Sequence, residues 1–153
     1  MLVGVISDTH GLLRPEALKA LNGVERILHA GDVGSPEILR RLEQIAPVTA
    51  IRGNIDRTGS CAQLPPTETL ELAGHLVHML HALDDLDLKP EAAGLSAVIY
   101  GHSHKPGIET RNGVLYLNPG SVGPRRFSLP ITLARLYLDD GPVRAEVVPL
   151  ISS

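Results

Sequence analysis

The 153-residue chain has few of the residues that form disulfides, stack nucleobases or cross membranes. Its single cysteine, Cys61, excludes an internal disulfide and a cysteine-based zinc site, and it suits the reducing cytoplasm where we expect the protein to act. Aromatic residues make up 3% of the chain, with no Trp, which argues against a base-stacking platform for extended nucleic acid. The apolar runs are only a few residues long, far short of the ~20 that cross a bilayer, so no membrane partner is expected.

The chain also has no large excess of charge of either sign. It carries 14 Lys and Arg against 17 Asp and Glu, a formal net charge of −3, which gives no polybasic surface for nucleic acid or anionic membrane. This length fits one domain, which we predict to span residues 1–153. The apolar residues 2–6 lack a cationic lead-in and are followed almost at once by Asp8, so a buried strand is predicted rather than a signal peptide.

Apolar runs alternate with polar or glycine-containing turns along the first third of the chain. The predicted elements are strands at 2–7, 26–30 and 48–51, with helices at 15–21 and 36–43 between them. Ser35 is the expected N-cap of the second helix. This strand–helix order is typical of a parallel sheet with crossover helices.

The rest of the chain changes to a hairpin pattern. The predicted elements are strands at 67–72 and 76–81, a helix at 86–93, and strands at 97–100, 130–138 and 143–150. Asn112-Gly113 is the strongest short hairpin signal between two extended runs. The apolar strands near the C terminus serve either as a dimer face or as part of the core, so homo-oligomerisation stays open.

Polar residues follow five of the predicted strands, at the point where each strand ends. These groups are Ser7-Asp8-Thr9-His10-Gly11, His29-Ala30-Gly31-Asp32, Arg52-Gly53-Asn54-Ile55-Asp56, His81 and Gly101-His102-Ser103-His104. Ligands of α/β sheets bind at the carboxyl ends of strands. Each group alone has an ordinary structural explanation, such as a turn. Five such groups at one sheet edge indicate a single site.

The side chains of these groups suit divalent metal ions. Asp, His and Asn without a thiolate favour ions such as Mn²⁺, Fe²⁺ or Zn²⁺. Seven candidate ligands are too many for one tetrahedral ion and suffice for two ions that share a bridging carboxylate. Such a pair polarises phosphoryl oxygens and lowers the pKa of a bridging water, so that a hydroxide nucleophile exists near neutral pH.

In these motifs the chain resembles the calcineurin-like metallophosphoesterases, over about residues 6–125. Its short length and Asn118-Pro119-Gly120-Ser121 are similar to their small bacterial and archaeal phosphodiesterase branch. The resemblance implies a four-layer α/β/β/α sandwich of two mixed sheets flanked by helices. It also implies that one metal ion is held by Asp8, His10, Asp32 and His104. The other ion would be held by Asp32, Asn54, His81 and His102, with Asp32 bridging.

The resemblance further implies two divalent ions, with Mn²⁺ expected first and Ni²⁺, Fe²⁺, Zn²⁺ and Co²⁺ as alternatives. Three positions depart from the family's usual pattern. Ser35 stands where the second motif often ends in Asp, and Ala82 follows His81 where Gly is usual. Ile55 stands where a His is the candidate general acid, and Ile cannot donate a proton. We therefore expect a preference for good leaving groups, or a substitute acid such as Asp56.

Other polar residues receive lesser roles. His29 is expected to be a hydrogen-bonded structural histidine, and Asn118 either caps a loop or supports the metal ligands. His75 and His78 are expected at the surface or in packing. Cys61 is assigned no chemistry. Arginines that could meet a phosphate, although solvated surface arginines are commoner, are Arg52, Arg125 and Arg126.

The predicted function is hydrolysis of a small phosphodiester by a bridging hydroxide, with catalytic roles for Asp32, Asn54, His81 and Asp56. One alternative is a catalytically weak protein-binding scaffold of the same fold, against which the complete ligand set argues. Another is a phosphomonoesterase. A nuclease acting on extended nucleic acid is disfavoured by the acidic net charge and the missing histidine.

Overall fold

A computed structural model describes residues 1–151 of the protein. This part of the chain forms ten strands and two α-helices. In chain order they are β1 (Leu2–Ile6), α1 (Pro15–Ala20), β2 (Arg26–His29), α2 (Pro36–Glu43), β3 (Val48–Ala50), β4 (Thr67–Leu72), β5 (His75–Leu80), β6 (Ala97–Ile99), β7 (Gly107–Arg111), β8 (Val114–Asn118), β9 (Ile131–Tyr137) and β10 (Arg144–Ile151). Two short 3-10 helices, Ser60–Gln63 and Leu83–Asp85, lie in the connections.

Two mixed five-stranded sheets pack face to face. The first has the order β10-β9-β1-β2-β3, in which β1, β2 and β3 are parallel and β9 and β10 are antiparallel. The second has the order β4-β5-β6-β8-β7, with β5, β6 and β8 parallel. Fully buried apolar side chains such as Val5, Met79, Ile99 and Leu117 fill the space between them. The predicted sandwich of two mixed sheets is confirmed.

Both α-helices cover the outer face of the first sheet. Ile38 and Leu42, one turn apart on α2, pack in one cluster with Ala17 of α1 and Ile27 of β2. The Ser35 hydroxyl accepts a hydrogen bond of 3.3 Å from the Glu37 amide, so the predicted N-cap is confirmed. The sequence spacing therefore placed these helices correctly.

The outer face of the second sheet is covered by an irregular segment. The predicted helix at 86–93 is wrong, because this stretch forms turns. Pro90 lacks an amide proton to donate, and Gly94 adopts a left-handed φ of 74°, so the segment does not continue as a helix. Its leucines, among them Leu86 and Leu88, pack against the cluster that contains Val98 of the sheet. The segment therefore packs these side chains against the sheet without forming a regular helix.

The C-terminal strands differ in burial. Residues Ile131, Leu133, Ala134 and Leu136 of β9 are buried, and this strand lies between β1 and β10 in the first sheet. It therefore belongs to the core rather than to a dimer face. Strand β10 is the sheet edge, with alternating exposed and half-buried residues. Neither helix in residues 1–151 has the length and apolar character to span a membrane.

Candidate metal centre

The loops after β1, β2, β3, β5 and β6 meet at one edge of the two sheets. Hydrogen bonds join them directly, since the Asp8 amide donates to the Gly31 carbonyl at 3.0 Å and the Gly101 amide donates to the His81 carbonyl at 2.9 Å. All seven predicted ligands come to this edge. The structure therefore brings together side chains that are up to 96 positions apart in the chain, from Asp8 to His104.

Five of the seven candidate ligands have left-handed backbone conformations. Their φ angles are 60° at Asp8, 46° at His10, 56° at Asp32, 73° at His102 and 63° at His104. A non-glycine residue with such a φ costs on the order of 1–2 kcal/mol. Only three other non-glycine residues in the described chain share this conformation. Backbone strain is thus concentrated where the candidate ligands lie, as is typical of functional sites.

Glycines allow the strand ends to approach one another. A Cβ atom on Gly53 would overlap the backbone and carboxylate of Asp32. Gly31 has a φ of 103°, and a Cβ atom there would lie 2.7 Å from His81 Nδ1. Glycine is therefore required at both positions, which explains the glycines in the Gly31-Asp32 and Gly53-Asn54 motifs.

Asp8 is fully buried and presents one carboxylate oxygen to the histidines. Its Oδ2 accepts hydrogen bonds from Ser7 Oγ at 2.7 Å and from the His102 amide at 3.2 Å. Its Oδ1 has no hydrogen-bond partner. This Oδ1 lies 3.5 Å from Nε2 of His104, and 3.7 Å from Nε2 of both His10 and His81. Burial opposes the charged form, but the neighbouring histidines outweigh it and hold the pKa of Asp8 well below its usual range.

Asp32 has the same arrangement of one satisfied and one outward-facing oxygen. Its Oδ1 accepts a hydrogen bond of 3.0 Å from the Ile55 amide. Its Oδ2 lies 3.4 Å from His10 Nε2 and 3.3 Å from His81 Nε2, between two candidate ligands. Burial raises the pKa of Asp32, but the contacts with His81 and the Ile55 amide lower it more, so the carboxylate stays ionised.

His81 is held in one orientation by a backbone carbonyl. Its Nδ1 lies 2.7 Å from the Ala30 carbonyl oxygen, which can only accept, so Nδ1 carries the proton. Nε2 then faces Asp8 and Asp32. Burial disfavours the charged ring, but the carboxylates and the Ala30 carbonyl outweigh it and raise the pKa of His81. This pattern, in which a carbonyl orients the ring through one nitrogen, is typical of metal-binding histidines.

Buried polar atoms without hydrogen-bond partners cluster at this edge. They are Asp8 Oδ1, His10 Nε2, His81 Nε2 and both ring nitrogens of His104; among described residues, the others are Nε of Arg14 and Arg26. Such atoms are rare because leaving them unpaired is costly. Two groups, Asp8-His10-His104 and Asp8-Asp32-His81, each bring three ligand atoms within 4.8 Å of one another. The carboxylate and imidazole donors therefore fit divalent metal ions.

Asn54 and His102 lie at the exposed rim of this cluster. Asn54 Oδ1 is 3.1 Å from His102 Nδ1, and the rings of His102 and His81 are 5.2 Å apart between centroids. Ala82, which stands where the resembling family usually has Gly, adopts extended backbone with a φ of −112°, a conformation open to any residue. The alanine therefore leaves the backbone beside His81 unstrained.

Asp56 does not face the candidate ligands. Its buried carboxylate accepts hydrogen bonds from the amides of Gly53, Val33 and Gly34 at 2.9 to 3.1 Å. Both oxygens act as acceptors, and together they connect the loops after β2 and β3. This geometry contradicts the prediction that Asp56 donates a proton to the leaving group.

The lesser candidates fall into structural positions. His29 is fully buried between Thr9 and Gly31, as predicted for a structural histidine. Asn118 caps the loop that follows β8, as one of its two predicted roles requires, and it also contacts the loop that carries His102. Its Oδ1 accepts from the Gly120 amide at 2.9 Å, and its Nδ2 donates to the Gly101 carbonyl at 3.1 Å, beside His102. Cys61 is buried in an apolar cluster.

Sequence reasoning missed the groups that orient the ligands. Ser7, which binds Asp8 Oδ2, was visible only as a polar residue at the end of β1. The Ala30 carbonyl gives no signal in the sequence, because its role depends on the position of His81 in the other sheet. The role of the Ile55 amide was likewise not predictable, because the apolar side chain of Ile55 gives no sign that its backbone donates to Asp32.

Two cavities include His102 in their lining. One of about 480 Å³ includes His81, Asn54, Arg52 and Asp84 in its lining. The other, of about 520 Å³, is formed by Ser103, Lys105 and the loop that contains Phe127. A group bound at the candidate ligands would therefore have space for a substituent in either cavity.

Known proteins resemble this chain in sequence and in fold. A family model described as the calcineurin-like phosphoesterase superfamily domain matches residues 1–141. The chain is 36% identical over 160 residues to a probable metallophosphoesterase of Methanothermobacter thermautotrophicus, covering 97% of this chain and 92% of that protein.

Solved structures of two other proteins superpose on this fold. The structure of an archaeal phosphodiesterase superposes with a TM-score of 0.79 at 25% identity, covering 97% of this chain and all of that chain. Wild-type Vps29 of Entamoeba histolytica, in its complex with Zn²⁺, superposes with a TM-score of 0.74 at 23% identity, covering 99% and 100%. The second similarity shows the fold alone.

Proposed function

This chain belongs to the calcineurin-like phosphoesterase superfamily, and we propose that it is a dinuclear-metal-dependent phosphodiesterase acting on a small phosphodiester. One observation carries the proposal: two carboxylate oxygens, Asp8 Oδ1 and Asp32 Oδ2, face the Nε2 atoms of the surrounding histidines. Of these two oxygens, Asp8 Oδ1 is buried without a hydrogen-bond partner. The similarity to a protein characterised as a phosphodiesterase supports the diester as substrate.

The proposed ligand sets follow the observed clusters. His10 and His104, whose ring centroids are 5.4 Å apart, would hold one ion together with Asp8. The second ion would be held by His81, Asn54 and His102. Asp32 is the proposed bridge because its Oδ2 lies at nearly equal distances from His10 and His81. Asp8 Oδ1 also lies 3.7 Å from Nε2 of both His10 and His81, so Asp8 would contribute to either ligand set.

When bound, two divalent ions supply Lewis acidity that lowers the pKa of a water and stabilises charge on phosphoryl oxygens. The chain's own residues contribute orientation. Ser7 fixes Asp8, the Ile55 amide fixes Asp32, and the Ala30 carbonyl fixes His81. Asn54 and His102 are exposed at the rim, where an incoming phosphoryl group would meet them. Mn²⁺ is the proposed ion, since the donors are oxygen and imidazole nitrogen without thiolate. We expect this activity in the cytoplasm.

The proposed enzyme lacks an obvious proton donor for the leaving group. Ile55, at the position where a histidine is usual, is 40% exposed at the rim. Asp56 is engaged with three backbone amides. We therefore propose that esters with good leaving groups are the preferred substrates, because such groups depart without protonation.

The first test is hydrolysis of bis(p-nitrophenyl) phosphate beside p-nitrophenyl phosphate, with Mn²⁺ and then with a chelator. We expect faster cleavage of the diester and its loss on chelation. Asp32→Ala should lower kcat/KM by more than about 100-fold and reduce the bound metal. Asp140→Ala, an exposed carboxylate in the last hairpin, is the matched control and should leave both unchanged. An active Asp32→Ala protein without metal would refute the proposal.

A protein-binding scaffold of the same fold is the competing function. The exposed Ile55 in place of an acid favours it, and Vps29 is among the proteins that share the fold. Seven candidate metal ligands gathered at one edge favour the enzyme. If the protein binds Mn²⁺ but cleaves neither ester, the scaffold becomes the better explanation. Faster cleavage of p-nitrophenyl phosphate would instead indicate a phosphomonoesterase.

A further inference from the structure

The loop between β8 and β9 presents an exposed aromatic side chain beside the candidate metal centre. Phe127, the only phenylalanine of the chain, is 90% exposed and has a φ of 54°. The other seven non-glycine residues with positive φ in residues 1–151 are the five candidate ligands, Ala73 and Asn112. Ala73 and Asn112 lie in tight hairpin turns. A bulky residue in this conformation that packs against no core calls for a functional explanation.

The position of Phe127 is set by a closed turn. The Leu129 amide donates to the Arg126 carbonyl at 3.1 Å, which places Phe127 at the centre of the turn. The loop is also attached to the candidate metal centre, because Ser121 Oγ donates to the Asp8 carbonyl at 3.1 Å. The fold therefore places the backbone at position 127 next to the site.

Phe127 forms one wall of the cavity of about 520 Å³ that reaches His102. The remaining lining is Leu129, two hydroxyl residues and two cations, Lys105 and Arg126. No carboxylate lines this cavity. Within residues 1–151, neither cationic side chain forms an ion pair or side-chain hydrogen bond. An aromatic face next to two free cations is complementary to a ligand that is both aromatic and anionic.

We propose that this cavity binds one arm of the phosphodiester, a nucleotide arm whose base stacks on Phe127 and whose own phosphate is held by Lys105 and Arg126. The inference rests on the proposed function. A phosphodiester has two arms, and the cavity of about 480 Å³ whose lining also includes His102 has space for the second. One aromatic ring stacks one base, so the arm is a single nucleotide rather than a strand.

Two p-nitrophenyl diesters test the inference with the leaving group held constant. They are thymidine 3′-(p-nitrophenyl phosphate) 5′-phosphate and methyl p-nitrophenyl phosphate. Phe127→Ala should lower kcat/KM for the nucleotide ester roughly tenfold, mainly through KM, and leave the methyl ester unchanged. Phe127→Tyr should retain the activity on the nucleotide ester. Equal rates for wild type and Phe127→Ala on the nucleotide ester would overturn the inference.

The two cations are tested by removing the 5′-phosphate from the nucleotide ester. Lys105→Ala combined with Arg126→Ala should raise KM for the 5′-phosphorylated ester and leave the ester without that phosphate unaffected. Arg41→Ala, an exposed arginine in the last turn of α2 that does not line this cavity, is the matched control and should leave both KM values unchanged. An equal loss on both esters would mean that the cations do not bind the 5′-phosphate.

A binding measurement separates this inference from the proposed function. Because the chain has one phenylalanine, 4-fluorophenylalanine gives a single ¹⁹F resonance from position 127. Thymidine 3′,5′-bisphosphate should shift it in a saturable manner, whereas ribose 5-phosphate should not. A saturable shift in a protein that cleaves no diester refutes the proposed function and keeps the nucleotide subsite. Diester cleavage without any shift refutes the subsite and keeps the phosphodiesterase.

Discussion

Protonation of His29 should destabilise the protein as the pH falls below 6.5. The ring is fully buried, and its Nδ1 accepts a hydrogen bond of 3.1 Å from the Gly31 amide. Nε2 therefore carries the proton and donates to Thr9 Oγ1 at 3.0 Å, which in turn donates to the Val33 carbonyl at 2.7 Å. Burial lowers the pKa of His29 from 6.5 to about 4, since neither solvent nor a free acceptor stabilises the charged ring.

The sign and size of the effect follow from linkage. The folded state binds the proton more weakly than the unfolded state, so the stabilisation is complete above pH 6.5 and is lost as the pH falls towards 4. A pKa difference between 6.5 and about 4 corresponds to about 3 kcal/mol in the free energy of unfolding. About 2 kcal/mol of this should be lost between pH 7 and pH 5.

Urea unfolding of metal-free protein at the two pH values measures the loss. In His29→Gln the side chain keeps a donor towards Thr9 but cannot be protonated, so the stability gap between wild type and variant should shrink by about 2 kcal/mol at pH 5. Thr132→Ser, at a buried residue that does not titrate, is the control and should keep a constant gap. Parallel pH dependences would refute the argument. So would a His29 ring resonance that titrates near pH 6.5 by NMR, which needs no variant.

Two further substitutions separate chemistry from structure. Ile55→His should raise hydrolysis of diesters with poor alkoxide leaving groups by about 100-fold, and change bis(p-nitrophenyl) phosphate little, because a general acid helps only the poor leaving group. A uniform change on both substrates would contradict the missing-acid argument. Asp56→Asn should lower the free energy of unfolding by about 3 kcal/mol, because a buried, charged acceptor of three backbone amides is lost, while kcat of the folded protein stays near wild type. Loss of activity at unchanged stability would instead indicate that Asp56 takes part in the reaction.

The sequence was informative wherever neighbouring residues determine structure. Strand–helix alternation placed β1 to β3 and both helices within one or two residues, because apolar periodicity and the Ser35 cap are local signals. The gathering of polar residues at one sheet edge was also predictable, since parallel strands end at the same side. The segment 86–93 was not, because its leucines suit either a helix or an irregular cover over the sheet.

The finer geometry of the site depends on contacts between distant segments. Asp56 was chosen as an acid because it lies two residues from Asn54, but three amides from two loops occupy its carboxylate. Asp8 was assigned to one ion, whereas its Oδ1 lies equally close to His10 and His81. Orientation of a carboxylate about its own side-chain bonds is set by such partners, and sequence spacing does not encode it.

The strained ligand backbone indicates how folding and metal binding are related in this protein. Five left-handed residues cost on the order of 5–10 kcal/mol together, a cost that is met only if the surrounding fold is already stable. The apolar layer between the sheets, with Val5 and Met79 fully buried, does not depend on any ligand side chain. The sandwich should therefore fold without metal and hold unpaired Asp8 and His104 atoms in place. Metal binding then relieves the unpaired polar atoms of a preformed site, and it should raise the melting temperature without changing the fold.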